Sequence, residues 1–285
     1  MSEDLVVLAV SFLLGVTGGA VLWRLLAHAF DAPLFLRTNV RGAEVPVAVG
    51  MILPLVLVAS ASVFVLAESA SWIDVPLTSL SATVFGALGF AFLGLLDDLA
   101  GNRDAQGFGG HLRALRGSEL TTGAVKLFGG AAVAMIIAAP TSGDRPGILL
   151  ADAALIALSA NLANLLDRAP GRLGKASLVA AVPIAIAAGA DPRLIGPVII
   201  GGALVALLVH DLRERLMLGD TGANVLGGVL GLAAEMTTAP STRVAMLVVV
   251  AAFNLASERV SFSRVIERTT VLRWFDGLGR LPADR

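Results

Sequence analysis

Four short stretches carry the residues whose types and spacing suit chemistry. GLLDDL (94–99) sets Asp97 and Asp98 side by side at the end of a long apolar run. NLANLLDRAPGR (161–172) spaces Asn161, Asn164 and Asp167 in steps of three, which keeps them on one broad helical face. MLGDTGANVLGG (217–228) holds Asp220 and Asn224 among Gly219, Gly222, Gly227 and Gly228, and NVRGAEVP (39–46) is the fourth. Any one carboxylate here reads equally well as a solvated helix end. Together, carboxylates and amides from several apolar segments favour an enclosed cation site. The chain has no cysteine, and His28, His111 and His210 lack ligand spacing, so oxygen donors point to a hard ion, Mg²⁺ or Mn²⁺, rather than zinc. A hard ion in a carboxylate cup commonly partners substrate phosphates. The glycines around Asp220 either bring backbone N–H groups to a phosphate or pack helices; LGDTGAN is not a GxxxxGK[ST] loop.

These groups must be positioned by very apolar elements. Of 285 residues, 56% are hydrophobic and 15% charged, against about 25% charged in ordinary soluble domains. Apolar blocks at about 5–23, 46–68, 77–96, 121–139, 148–166, 176–190, 194–210, 221–238 and 243–257 approach or reach the length that crosses a bilayer as helix. The expected fold is an all-α polytopic integral membrane protein with about nine transmembrane helices. The first block has an acidic flank and no small-residue cleavage site, so it reads as a span rather than a signal peptide. RTNVRG, TSGDRPG, APGRLG, GADPR and TTAPSTR separate blocks with breaker residues. Alternating the loops leaves only Arg145, Arg193 and Arg243 on one side, and the other 18 of the 21 Lys and Arg on the opposite one. The basic side should face the cytoplasm, giving an N-out/C-in protein of the inner (plasma) membrane with all four polar stretches on the cytoplasmic face. Residues 1–257 form the expected membrane domain. Residues 258–285, where arginines alternate with Val, Ile, Leu, Trp and Phe, form an amphipathic cytoplasmic segment, an anchor at anionic lipid or a cover for the site. A net charge of -1 gives no reason to expect nucleic acid as a partner.

GLLDDL, NLANLLD and LGDTGAN, in this order and on one side, resemble the polyprenyl-phosphate N-acetylhexosamine-1-phosphate transferase superfamily (glycosyltransferase family 4), which includes phospho-N-acetylmuramoyl-pentapeptide transferase. The likeness covers about residues 37–228, and Pro46 and Gly50 of NVRGAEVPVAVG fit the family's segment before its second helix. The resemblance implies Mg²⁺-dependent transfer of a sugar 1-phosphate from a UDP-sugar to polyprenyl phosphate, with release of UMP, in cell-envelope glycan biosynthesis. It assigns lipid-phosphate handling and catalysis to Asp97 and Asp98, places Asn164 and Asp167 near the nucleotide and the metal, and assigns Mg²⁺ binding to Asp220; Asp167 is a further catalytic candidate and Asp98 a further metal candidate. Asn161, Gly219 and Asn224 are candidate substrate contacts beside them. Lys126, Arg172 and Lys175 are the nearest cations that could screen two phosphate anions, and each equally suits a positively charged flank. Related enzymes are often dimers, so a homodimer is suggested by analogy alone, and the sequence itself does not read the oligomeric state.

The chain also departs from the family. The expected Asp-Asp-x-x-Lys ends here in Gly101, with Arg103 beyond it, and SERVSFSRVIER carries none of the histidines found in relatives that use the peptidoglycan precursor. Relatives often place Asp-Gly after the asparagines, where this chain has Asp167-Arg168. These departures argue against the peptidoglycan-precursor substrate. They also favour one alternative, a non-catalytic polyprenyl-phosphate-binding or envelope-complex protein; a separate alternative is a transporter or channel. No internal repeat supports the transporter.

Overall fold

Each long apolar block is a helix in the computed structural model, which describes residues 2–39, 41–100 and 122–282. Arg103 and His111 lie outside the described residues. Helix α1 (Glu3–Phe30) begins at Ser2, whose hydroxyl accepts from the Leu5 N–H at 3.4 Å. A hairpin follows, β1 (Leu36–Thr38) and β2 (Glu44–Pro46), and then α2 (Ile52–Ser69), α3 (Leu77–Ala100) and α4 (Thr122–Ser142). The chain continues through α5 (Pro146–Leu166), α6 (Arg172–Ala188), α7 (Ile195–Leu212), α8 (Gly219–Thr237) and α9 (Pro240–Ser257). Two short helices, α10 (Phe262–Arg268) and α11 (Thr270–Gly277), complete the described part. Pro146 and Pro240 open α5 and α9, in the first turn where a missing N–H costs nothing.

The all-α expectation needs one correction. Residues 36–46 pair antiparallel, Leu36 opposite Pro46 and Thr38 opposite Glu44, so α2 starts after the expected residue 46. The Asn39 side chain makes this turn by accepting the N–H groups of Arg41 and Ala43, each at 2.9 Å. Conversely, α3 runs past residue 96 and carries Asp97 and Asp98 in its last turns.

Among the described residues, seven helices are long and apolar enough to cross a membrane: α1 to α5, α7 and α9, some with a flanking 3₁₀ turn. Large side chains such as Leu25, Leu66, Ile186 and Leu255 stand exposed on several helices, a surface that suits lipid. This is a mostly helical protein of the multi-span membrane type. Helices α6 and α8 fall outside the seven. Helix α6 has 17 residues and contains Pro183. Helix α8 is rich in glycine and opens on polar residues, yet nearly all of it is buried, packed between α3 and α5 with α6 alongside. A helix walled by protein meets no lipid and needs no continuous apolar surface.

The two ends of the bundle are both polar but differ in kind. At one end Asp152, Glu235 and Arg243 are wholly buried. The Asp152 carboxylate accepts from the Ser142 hydroxyl at 2.7 Å and meets Arg243 Nη1 at 3.1 Å, while the same guanidinium donates to the Glu235 carbonyl at 3.0 Å. Arg243, expected in a loop, is therefore a buried tie between α5, α8 and α9. The opposite end gathers the ends of α3, α5 and α7 and the starts of α4, α6 and α8.

Candidate functional site

The start of α8 is the centre of that second end. A helix begins with unsatisfied N–H groups, and here a carboxylate from another helix meets them. Asp98 Oδ1 accepts from the Asp220 N–H at 2.9 Å; Asp98 Oδ2 accepts from the Thr221 N–H at 2.9 Å and from its hydroxyl at 2.6 Å. Two glycines permit the approach. A Cβ on Gly94 would fall 2.4 Å from the Asp220 carbonyl oxygen, and one on Gly219 would fall 2.6 Å from Asp98 Oδ2. Gly219 also has φ of +71°, a conformation side chains rarely accept.

The NVRGAEVP stretch holds the other side of this start. The Pro46 carbonyl accepts from the Met217 N–H at 2.8 Å, and the Gly50 N–H donates to the Leu218 carbonyl at 3.1 Å. Arg37 Nη2 donates to the Asp98 carbonyl at 2.9 Å, and Arg41 Nε donates to Glu214 at 2.8 Å. The hairpin thus clamps the end of α3 to the turn before α8.

The Asp220 side chain points from this start toward α4 and α5. Its Oδ2 makes a close ion pair with Lys126 Nζ and accepts from Asn164 Nδ2 at 3.0 Å. Lys126 also reaches Asp97 Oδ2 at 3.5 Å. Asp97, Asp98, Lys126, Asn164 and Asp220, from helices far apart in sequence, therefore form one connected cluster. Asp167 caps the end of α5 half-buried beside them. Burial, and then the charges of Asp211, Asp220 and Asp98, push its carboxyl well above the usual carboxylate range.

Other expected residues lie elsewhere. Asn161 is exposed and donates to Asn254 Oδ1 at 2.6 Å on α9, so it faces away from the carboxylates. Its three-residue step to Asn164 rotates it around the helix. Arg172 is buried against α11, with Nε and Nη2 on Asp276 at 2.9 and 3.0 Å. Lys175 caps backbone carbonyls of the same segment. Neither cation reaches the cluster through a described bond. Asn224 is buried one turn beyond Asp220, with Nδ2 unpartnered among the described residues. Thr221 and Arg37 hold the site without having been expected there. Thr221 was visible inside LGDTGAN, whereas Arg37 looked like any loop arginine.

As to a metal, the donors Asp97, Asp220, Asp167 and Asn164 are all oxygen, and Asn164 Oδ1 is buried without a partner among the described residues. That chemistry fits a hard divalent ion whose shell is completed by phosphate or water oxygens. Among the described residues no three acidic or histidine side chains already converge at metal distance. Both oxygens of Asp98 already serve α8. Its observed part is to fix the helix start, not to stand free as a ligand.

An apolar groove runs between α5, α6, α8 and α9, lined by Leu166, Leu173, Leu155, Ile184, Met246 and Val250. The fold and the site together describe a mostly helical protein, its several long apolar helices consistent with multiple membrane spans, with a carboxylate–lysine cluster at one end of its bundle. Among known proteins, no family model matches the chain, and no curated sequence matches it significantly.

Proposed function

We propose that this protein is a sugar-1-phosphate transferase acting on a polyprenyl phosphate, with nine spans, the N-terminus outside, and the carboxylate cluster at the cytoplasmic face of the inner membrane. The observation that carries the reading is the gathering of Asp98 and Asn164 on Asp220, with Lys126 bridging Asp220 and Asp97, into one polar cluster. The distribution of basic residues supports the orientation.

In this reading an oxygen of the lipid phosphate attacks the sugar-bearing phosphorus of a UDP-sugar. A P–O bond forms between the two phosphates, the P–O bond to the uridine phosphate breaks, and UMP leaves with the bridging oxygen. The nucleophile is already anionic, so no strong base is needed; Asp97 or Asp167 accepts any residual proton. The difficulty is electrostatic. Among the described residues the cation bonded within this cluster is Lys126, shared by Asp97 and Asp220, so a phosphate approaching the cluster also meets carboxylate charge. A divalent ion held by Asp220, Asp97 and Asn164 Oδ1 would offset that charge and polarise the phosphoryl oxygens. Lys126 orients Asp220 and Asp97 and supplies positive charge for the leaving UMP. Asp98 and Thr221 hold the start of α8 rigid. The prenyl chain takes the apolar groove, and the bilayer itself delivers the lipid.

Exchange of labelled UMP into UDP-N-acetylglucosamine, measured with undecaprenyl phosphate and Mg²⁺, tests the reading. Mass spectrometry of the lipid product from a panel of UDP-sugars identifies the sugar. Absence of exchange and of product across the panel would leave a lipid-phosphate-binding role in its place.

A further inference from the structure

Helix α11 is turned inside out compared with an ordinary surface helix. Its acid, Asp276, is buried at 8% exposure, whereas Val271 and Trp274, one turn apart on the same face, are 71% and 65% exposed. The polar side is fixed to the bundle. Arg172 grips Asp276 with two bonds and Ser263 Oγ with a third at 2.7 Å. Lys175 Nζ donates to the Phe275, Asp276 and Leu278 carbonyls at 3.0, 2.5 and 3.0 Å, and Arg280 Nε donates to the Pro170 carbonyl at 2.8 Å. A helix held this way keeps its Trp face pointing away from the described residues.

Two features say what covers that face. Charge is one: the exposed Arg259, Arg264, Arg268 and Arg273 outnumber the exposed Glu258 and Glu267. Continuity is the other. Helix α10 follows the last turn of α9, Phe262 packs edge-on to Phe253 at 6.2 Å between ring centres, and the exposed Phe253 and Leu255 extend the apolar surface of α9 to α10. A tryptophan and aliphatics beside arginines, level with the end of a spanning bundle, match the interface of an anionic leaflet.

We propose that α10–α11 is an interfacial anchor. Its Val271, Leu272 and Trp274 lie in the headgroup–acyl boundary of an anionic membrane, and Arg264, Arg268 and Arg273 meet lipid phosphates. This rests on the chain being embedded in a bilayer and not on the transferase chemistry. The bonds from Arg172 and Arg280 tie the anchor to the 167–172 turn, so the lipid that seats α11 also steadies the segment carrying Asp167.

The test uses the full chain with Trp274 as its sole tryptophan (Trp23→Phe, Trp72→Phe), reconstituted into phosphatidylcholine vesicles with or without phosphatidylglycerol. Lipids brominated near the headgroup should quench Trp274 more than lipids brominated near the chain terminus. The quenching should increase with phosphatidylglycerol, and Arg264→Gln, Arg268→Gln, Arg273→Gln together should remove that increase. Quenching of Trp274 by aqueous iodide alone, equal in both vesicle types, would overturn the proposal. So would shielding from both quenchers that is lost when protein is diluted in the membrane, which would mean that a second copy covers the face. A chain whose sole tryptophan is placed by Leu13→Trp, on the exposed side of α1, reports insertion separately. If that tryptophan also escapes the brominated lipids, the membrane reading itself fails.

Discussion

Removing the Asp98 carboxylate should loosen the start of α8 even when no metal is present. In Asp98→Ala the N–H groups of Asp220 and Thr221 lose their acceptor, as does the Thr221 hydroxyl at 2.6 Å. Loss of a capping carboxylate costs about 0.5–2 kcal/mol. A hydrogen bond to a charged acceptor adds about 1.5–3 kcal/mol. Allowing for partial solvation of the freed groups, the expected loss is about 2–4 kcal/mol. Thr221→Val removes only the hydroxyl bond and should cost about 1–2 kcal/mol. The double variant should then lose less than the sum, with a coupling of about 0.5–3 kcal/mol. Unfolding in mixed detergent, followed by circular dichroism in EDTA, reads all three differences. Asp98→Ala within about 0.5 kcal/mol of the parent would refute the role of Asp98 as the anchor of α8. Strict additivity with Thr221→Val would refute it as well.

Lys126→Met should leave the helical spectrum intact while transfer falls about 10²–10³-fold, the scale for losing one preorganised electrostatic group; activity retained in an assay of UMP release would remove Lys126 from the mechanism. Gly94→Ala should lower stability by about 1–3 kcal/mol, because its Cβ would press on the Asp220 backbone and part α3 from α8. Thermal melting with and without Mg²⁺ checks this. Arg172→Met strands Asp276 in a buried position and should cost about 3–5 kcal/mol, seen as faster proteolysis of the C-terminal segment. Burial raises the Asp276 carboxyl, but Arg172 and Arg280 outweigh it and hold the group below its ordinary value. A depressed carboxyl contributes its stability above its unfolded pKa and loses it as pH falls through the folded one. Hydrogen exchange across 270–277 should therefore stay slow through mildly acidic pH and rise only below the usual carboxylate range.

The helices were legible because lipid imposes a long apolar run on every segment that touches it. Helix α8 was legible for a different reason, since its apolar residues continue inward although its surface meets protein. The hairpin at 36–46 was not foreseen: it depends on Asn39 closing a turn and on Pro46 pairing with Met217, contacts that leave no periodic trace. At the site, the adjacency of Asp97 and Asp98 was plain, but their division of labour was not. One helical step sends Asp97 toward Lys126 and Asp98 under α8. Asn161 and Asn164 share a face only broadly, and the step of three was enough to place one on Asn254 and the other on Asp220. Arg172 looked like a partner for phosphate, while its carboxylate partner, Asp276, lies 104 residues further along the chain, beyond the reach of any local pattern.

The most direct measurement is Mg²⁺-dependent release of UMP, with matching formation of a lipid pyrophosphoryl sugar, from a UDP-sugar panel and undecaprenyl phosphate. The parent chain should convert at least one UDP-sugar in equal amounts of UMP and lipid product. Asp220→Asn, still inserted and folded, should form neither. Equal turnover by the parent and Asp220→Asn, or UMP release with no lipid-linked product, would contradict the account.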